Sequence, residues 1–349
     1  MLTSLAELPR VHLAQLPTPL QATPKLLPAL LGSPGDSGWP QLYVKRDDLT
    51  GIELTGNKVR KLELLLAAAQ QHGADTVLTC GGAQSNHCRA TALAAAQLGL
   101  RCILLLRVED PAQPPPLAGN LLLGALAGAE VRFISRAAYK ERAALMAELC
   151  AELRAQGRTG YPIPEGGSNA LGSLGYVGCI EELRTQIPDP ELPLTIVHAA
   201  GSGGTGAGLL LGIALCGLPW RVAAVNVCDD RPYFVRRVRE ILDEAAAVFG
   251  LPAAARLSAD GERVIDIRDG YVGRGYALSQ PDELRLIRAA CRAQGLVLDP
   301  VYTGKALHGL TGELRRDRAA FGPRVVFLHT GGIYGLLAKA EELAAVVDS

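Results

Sequence analysis

The feature that most constrains the fold is an alternation of short apolar runs with longer segments of helical periodicity. The apolar runs are rich in Val, Ile and Leu and are predicted to be buried strands, at 76–80, 102–106, 131–134, 195–198, 222–227 and 325–328. Segments rich in Ala, Leu, Glu and Arg lie between them, and helices are predicted at 137–156 and 282–293. A further short strand is predicted at 296–298. Alternation of this kind predicts an α/β fold, in which parallel strands are joined by crossover helices.

The chain is too long for one small core. Its 349 residues predict two domains or one large α/β unit, and 48% hydrophobic residues are enough to fill it. Glycine-rich segments precede new helices near residues 60 and 175. We therefore predict a large domain made of 1–60 and 176–349, and a small domain of 61–175.

Composition excludes several classes of partner. The formal net charge is zero and no Lys/Arg cluster stands alone, which argues against nucleic acid and anionic membranes. The eight cysteines form no C-x-x-C pair, which argues against a zinc site or a redox dithiol. No apolar stretch reaches membrane-spanning length, and residues 1–9 lack the pattern of a secretory signal. The sequence therefore predicts a reduced, cytoplasmic protein.

Lys58 is a candidate nucleophile. It precedes an Ala/Leu-rich run predicted to be helical, where the positive end of the helix dipole, with Arg60 and Lys61 nearby, is expected to lower its pKa. A neutral amine attacks carbonyl groups, so Lys58 is a plausible Schiff-base lysine. A lysine taken alone is more often a solvated surface residue. Two further motifs change that balance.

The first of these motifs runs from Gly81 to His87, between a predicted strand and a helical run. Ser85 and Asn86 are expected at the helix N-cap, where free backbone N–H groups form an anion site suited to a substrate carboxylate. An ordinary N-cap is the alternative. His87 is predicted to be a positioned or packed residue, because no second metal ligand has suitable spacing.

The second motif is a glycine-rich loop, 201–208, between a predicted strand and a helix. Such a loop lets the backbone approach a phosphate at a helix N-terminus. It also satisfies the dinucleotide pattern G-x-G-x-x-G, with Asp229 and Asp230 at the end of the next strand, so an oxidoreductase is a competing interpretation. A turn needed only for tight packing is a third.

Three lesser positions accompany these motifs. Tyr302 and Thr303 follow the predicted strand at 296–298, and Tyr276 lies in a loop among glycines. Each tyrosine alone is more typical of a core or an interface. Thr330 ends the last predicted strand, at the sheet edge where open α/β sheets bind ligands.

Together the motifs resemble pyridoxal-5′-phosphate enzymes of the tryptophan-synthase-β-like fold (fold type II). More narrowly, they resemble the group of D-cysteine desulfhydrases and 1-aminocyclopropane-1-carboxylate deaminases. The resemblance runs from Leu16 to the C-terminal helix and is carried by segments 44–49, 56–63, 84–90, 166–169, 201–205, 227–230, 299–305 and 329–332. It implies two open, twisted, mostly parallel sheets flanked by helices, a pyridoxal phosphate cofactor, a small amino-acid substrate and a homodimer.

The resemblance also implies residue roles. Lys58 corresponds to the lysine that carries the cofactor. The implied cofactor contacts are Asn57, Lys61, Asn86, Thr303, Thr330 and a phosphate loop of Gly201, Ser202, Gly203, Gly204, Thr205 and Gly206. The implied catalytic residues are Lys58, Ser85, Tyr276 and Tyr302. The implied substrate contacts are Gln84, Ser85, Asn86, His87, Tyr276 and Tyr302. Asp229 and Asp230 lose their ribose role under this interpretation.

Thr303 distinguishes two activities of the group. The cyclopropane deaminases resembled here have a glutamate at this position, facing the pyridine nitrogen. A carboxylate keeps that nitrogen protonated and makes the ring a deeper electron sink than a hydroxyl does. Opening a cyclopropane needs the deeper sink, so Thr303 favours elimination of a good β-leaving group.

The expected reaction is α,β-elimination of hydrogen sulfide from D-cysteine, which leaves pyruvate and ammonia. Lys58 or Ser85 is expected to remove the α-proton, and Tyr302 or Tyr276 to protonate the leaving sulfur. Cyclopropane ring opening, L-cysteate sulfo-lyase action and D-serine dehydration stay open within the group. Outside it stand the nucleotide-binding oxidoreductase and a cofactor-binding protein without turnover.

Overall fold

The computed structural model describes residues 8–32 and 38–347. Most of the N-terminal segment on which the absence of a secretory signal was judged therefore lies outside the described residues. The strands are β1 Leu20–Ala22, β2 Gln41–Lys45, β3 Thr76–Gly82, β4 Arg101–Arg107, β5 Glu130–Ile134, β6 Gly160–Pro162, β7 Leu194–Ala200, β8 Trp220–Asn226, β9 Asp266–Arg268 and β10 Arg324–Leu328.

Helices connect and cover these strands. They are α1 Leu26–Leu31, α2 Lys58–Gln71, α3 Asn86–Gln97, α4 Gly119–Leu126, α5 Arg142–Ala155, α6 Ala170–Ser173, α7 Gly175–Gln186, α8 Gly204–Cys216, α9 Arg231–Phe249, α10 Pro252–Asp260, α11 Pro281–Gln294, α12 Thr303–Arg316, α13 Ile333–Leu337 and α14 Ala340–Val347. Short 3₁₀ turns lie at Asp47–Leu49, Ala138–Glu141, Glu165–Gly167 and Gly261–Arg263.

The strands form two sheets, as predicted. The larger has the order β1-β2-β10-β7-β8-β9, and the smaller has the order β5-β4-β3-β6. All pairs are parallel except β1 with β2. All four strands of the smaller sheet lie within 76–162. The domain boundaries near 60 and 175 stay a prediction.

Both faces of the larger sheet are covered. Neighbouring residues of β7 point to opposite faces, so Ile196 packs into a core under α7, α8 and α9, while Val197 packs into a second core under α1, α11 and α12. The smaller sheet is likewise covered by α2 and α3 on one face and by α5 on the other. This coverage explains why the strands are continuous apolar runs rather than alternating ones.

One predicted strand is wrong. Residues 296–298 are not part of a strand, although Leu296 and Leu298 are buried. The segment is an extended connection between α11 and α12 whose Val297 carbonyl accepts a hydrogen bond from His329 Nε2, at 2.9 Å. The His329 side chain thus supplies the hydrogen bond that the Val297 carbonyl would receive from a neighbouring strand in a sheet.

A buried ion network fixes the start of α2. The Arg60 guanidinium donates to both carboxylate oxygens of Asp47, at 2.9 and 2.8 Å, and to Glu182, at 2.7 and 2.9 Å. Lys45 Nζ also donates to Glu182, at 2.7 Å, and the Tyr176 hydroxyl donates to Asp47, at 2.6 Å. Burial raises the pKa of Asp47, but the charges of Arg60 and Lys45 and the hydrogen bonds to it outweigh burial and leave that pKa below its usual value. The network ties β2, α2 and α7 together.

We predict that Asp47→Asn lowers the free energy of unfolding by about 3–5 kcal/mol, because it leaves buried cationic charge without its partner. The measurement is urea denaturation at neutral pH. The adjacent Asp48→Asn is the matched control. Asp48 pairs with Arg46 in a less buried position, and its loss should cost about 1 kcal/mol or less. Equal losses for the two variants would contradict the importance of the network.

Candidate active site

A single pocket collects most of the predicted site residues. It lies at the carboxyl ends of β3, β7 and β10, where parallel sheets bind ligands. The predicted residues that line it are Asn57, Lys58, Ser85, Asn86, His87, Gly201, Ser202, Gly203, Thr205, Gly206, Tyr276, Tyr302 and Thr330. Gly204 belongs to the glycine loop but does not line the pocket, and Lys61 lies behind it, with Nζ 2.8 Å from where a Cβ of Gly204 would be. Gln84 and Thr303 do not line the pocket either.

Lys58 is the first residue of α2, and its amine enters the pocket beside Gly166. Burial lowers the pKa of Lys58 to about 8, against an opposing effect of Glu165. The direction agrees with the prediction but the cause differs, because burial lowers the pKa and Arg60 is paired with Asp47 and Glu182. About one tenth of the amine is therefore neutral at pH 7, far more than for an ordinary lysine.

The loop between β7 and α8 needs its glycines. A Cβ at Gly204 would lie 2.8 Å from Lys61 Nζ and 2.7 Å from Ser168 Oγ, and one at Gly206 would lie 3.1 Å from His198 Nε2. Gly203, at the N-cap of α8, has φ of 84°, a conformation that favours glycine. The backbone thus comes close to the pocket and presents the N-terminus of a 13-residue helix to it.

The buried lysine behind this loop has only neutral hydrogen-bond partners among the described residues. Lys61 Nζ donates to Ser168 Oγ at 3.0 Å and to the Gly166 carbonyl at 3.2 Å, and among the described residues it has no carboxylate partner. Burial, and then the charges of Lys58 and Arg237, place the pKa of Lys61 well below its usual value. A phosphate at the helix N-terminus would reverse that effect and restore the charged lysine.

The N-terminus of α3 is the second position at which the sequence predicts an anion. Ser85 is its N-cap, and its hydroxyl accepts from the Cys88 N–H at 3.2 Å, as an ordinary cap does, while facing the pocket. Asn86 Oδ1 accepts from Asn120 Nδ2 at 3.0 Å. Gln84, predicted to contact substrate, instead donates to the Ala118 carbonyl at 2.9 Å. The loop before α4 thus holds Gln84 away from the pocket.

His87 is a packed, neutral residue. The Thr79 hydroxyl donates to the Ile163 carbonyl, so it accepts from His87 Nε2, at 2.9 Å. Burial holds the pKa of His87 well below its usual value. No group of three or more metal-ligating side chains exists among the residues described.

Two tyrosines face each other in the pocket. The hydroxyls of Tyr276 and Tyr302 are 2.7 Å apart, and burial raises the pKa of Tyr276 to about 12. Thr303 follows Tyr302 but does not contact the pocket, because its hydroxyl donates to the Asp299 carboxylate at 2.7 Å and accepts from the Asp299 N–H at 2.8 Å. This geometry argues against the direct cofactor contact predicted for Thr303.

Two lining residues with titratable side chains were not predicted from the sequence, Glu165 and His198. Glu165 opens the 3₁₀ turn at Glu165–Gly167, and it pairs with Arg142 at 3.2 Å. His198 lies inside β7, where burial lowers its pKa to about 4 and its Nε2 has no hydrogen-bond partner. Glu165 directly precedes the segment 166–169, which carries the family resemblance, and this position is the signal that could have identified it. His198 was hidden in an apolar run.

One carboxylate of the acidic pair after β8 has a role within the chain. The Asp230 carboxylate caps α9 by accepting from the Tyr233 N–H, at 2.7 Å. It therefore serves a helix terminus rather than the ribose contact of the dinucleotide interpretation.

Comparison with known proteins agrees with this geometry. A family model described as pyridoxal-phosphate dependent enzyme matches residues 11–331. The chain belongs to this family. It is 41% identical over 345 residues to the mitochondrial bifunctional D-cysteine desulfhydrase/1-aminocyclopropane-1-carboxylate deaminase of Arabidopsis thaliana, covering 97% of this chain and 81% of that protein. It is 37% identical to the D-cysteine desulfhydrase of Klebsiella pneumoniae, covering 97% and 98% of the two chains.

A solved structure extends the agreement to the fold. The crystal structure of a 1-aminocyclopropane-1-carboxylate deaminase homologue superposes with a TM-score of 0.85 at 36% identity, over 98% of each chain. The fold type II architecture and the pyridoxal phosphate dependence of this enzyme are thereby confirmed.

Proposed function

We propose that this enzyme catalyses the α,β-elimination of D-cysteine to pyruvate, hydrogen sulfide and ammonia. One observation carries the choice of reaction: among the described residues Glu165 is the only carboxylate that lines the pocket, and it lies on the Lys58 side, beside Gly166. A site without a carboxylate for the pyridine nitrogen suits the departure of a good leaving group better than ring opening. Both relatives named above carry the desulfhydrase name.

The residues present fit the cofactor. Lys58 would supply the amine for its aldehyde, the loop Gly201–Gly206 with Lys61 would supply a phosphate site, and Thr330 would supply a hydroxyl for the ring nitrogen. Asn57 donates to Thr205 at 3.1 Å, which joins the start of α2 to the phosphate loop. When bound, pyridoxal phosphate is an electron sink that acidifies the α-proton of the amino acid.

The chain supplies the binding and the proton transfers. The substrate carboxylate docks at the N-terminus of α3, where Ser85 and Asn86 face the pocket. Lys58, with its pKa near 8, accepts the α-proton. The Tyr276–Tyr302 pair holds a proton for the leaving sulfur, because both phenols stay protonated at neutral pH.

L-Cysteate is a weaker candidate. Its sulfonate adds a second anion, which calls for a cation at the leaving group. No arginine lines the pocket in the described part of the chain. Cyclopropane ring opening stays the main alternative, since one relative is named for both activities.

We predict that D-cysteine gives the highest kcat/KM in a panel with L-cysteine, L-cysteate, D-serine and 1-aminocyclopropane-1-carboxylate, assayed by keto-acid release. Lys58→Ala is the control for the covalent role and should release no keto acid above background. A higher kcat/KM for the cyclopropane amino acid than for D-cysteine would contradict the proposed substrate.

We further propose that the enzyme is a cytoplasmic homodimer. All eight cysteines are free, and no described helix has the length and apolarity needed to span a bilayer. Exposed apolar side chains gather where α4 adjoins α13, including Leu122, Leu126, Ile333 and Leu337. Apolar surface concentrated in this way is typical of a protein interface.

We predict that Leu126→Glu shifts the protein from dimer to monomer, as measured by light scattering during size-exclusion chromatography. Leu126 is 72% exposed, so folding of the subunit should be unaffected. Val248→Glu is the matched control, since Val248 is 64% exposed on α9 and lies outside this surface. A dimer that survives Leu126→Glu and Leu337→Glu together would place the interface elsewhere.

A further inference from the structure

Tyr276 is carried by a loop of unusual backbone conformation. Gly270, Gly273 and Gly275 have φ of 93°, 64° and 131°, and Ala277 has φ of 59°. Positive φ is unfavourable for alanine and is maintained only when the surroundings impose it. Something other than local preference therefore holds this loop in place.

Lys305 anchors the loop that carries Tyr276 by hydrogen bonds to its backbone. Its side chain is fully buried, and Nζ donates to the Val272 carbonyl at 2.6 Å and to the Gly275 carbonyl at 2.8 Å. No described carboxylate forms an ion pair with it, so the loop carbonyls are its partners. Lys305 lies in the first turn of α12, three residues after Tyr302. One helix start thus supplies Tyr302 and the anchor of the loop that bears Tyr276.

Arg107 covers the ring of Tyr276 from the other side. It is the last residue of β4 and pairs with Gly82, which lines the pocket. Its guanidinium carbon lies 5.4 Å from the Tyr276 ring centroid and 4.8 Å from that of Tyr139. Within the described residues it forms no ion pair with a carboxylate. Its charge is therefore directed at the two aromatic faces.

We propose that Lys305 and Arg107 are positioning residues that hold Tyr276 across the pocket, one from the first turn of α12 and the other from the end of β4, and keep its hydroxyl against that of Tyr302. The inference rests on the proposed elimination. In that reaction the carbon–sulfur bond breaks, the sulfur leaves with the electron pair, and it takes a proton from the tyrosine pair. Solvent then returns the proton to the phenolate. A displaced Tyr276 slows this step without weakening cofactor binding.

The first test measures the loop without any substrate. Hydrogen exchange of the peptide covering 270–277 is followed in the cofactor-loaded enzyme. Lys305→Met should raise its exchange rate at least tenfold, because two carbonyl contacts are lost, while exchange in α3 stays unchanged. Arg136→Gln is the matched surface control and should change neither, since Arg136 is 75% exposed and pairs with the equally exposed Glu109.

The second test is a double-mutant cycle. Arg107→Gln should lower kcat about 10- to 100-fold with little change in KM, since small misplacements of a reacting group have effects of that size. Arg107→Lys should recover part of the loss. In a Tyr276→Phe background Arg107→Gln should have no further effect, whereas a merely structural role gives the same loss in both backgrounds.

Unchanged exchange in Lys305→Met together with full additivity of Arg107→Gln and Tyr276→Phe overturns the inference. If Lys305→Met does not fold, the double-mutant cycle of Arg107 and Tyr276 alone tests the inference, and full additivity overturns it. If D-cysteine is not a substrate, the exchange measurement still tests the positioning, so the two failures are distinguishable.

Discussion

The structure depends on how α2 is held at its first turn. Lys58 and Lys61 are three residues apart and share one face of the helix, whereas Arg60 lies about 200° around the axis from Lys58. Arg60 is fully buried against Asp47 and Glu182, so the helix cannot rotate without separating buried charges. Fixing Arg60 on one side therefore directs Lys58 and Lys61 toward the pocket and the phosphate loop on the other.

The same arrangement creates an unbalanced site. Burial lowers the pKa values of both Lys58 and Lys61, and the charges of Lys58 and Arg237 lower that of Lys61 further. A cofactor with an aldehyde and a phosphate suits both lysines. The lowered pKa of Lys58 favours reaction of its amine with the aldehyde, and the phosphate would neutralise the charge near Lys61. The glycine loop adds backbone N–H groups beside Lys61. The affinity for the cofactor phosphate and the reactivity of Lys58 therefore both follow from how α2 is held.

Local patterns in the sequence predicted much of this. The apolar runs predicted β3, β4, β5, β7, β8 and β10, because strands buried on two faces leave a clear signal, while the division into two sheets followed from the family resemblance. The position of Ser85 after β3 predicted its role as N-cap. The failures concern contacts between distant residues. Gln84 is held by the loop 34 residues later, and the role of Arg60 depends on Glu182, 122 residues away. The cofactor contact predicted for Thr303 is absent for a local reason, because its hydroxyl donates to the Asp299 carboxylate instead. The contact of Lys305 with the loop that carries Tyr276 leaves no pattern in the sequence.

The most direct test of the account is the chemical state of Lys58 itself. The apoprotein is incubated with pyridoxal phosphate between pH 6 and 10, reduced with borohydride, and digested for peptide mass mapping. The account predicts that the cofactor mass appears on Lys58, and that the rate of labelling rises with pH through a midpoint near the pKa of about 8 that burial imposes. An active enzyme in which Lys58 is unlabelled, with the cofactor mass on another lysine, would contradict it.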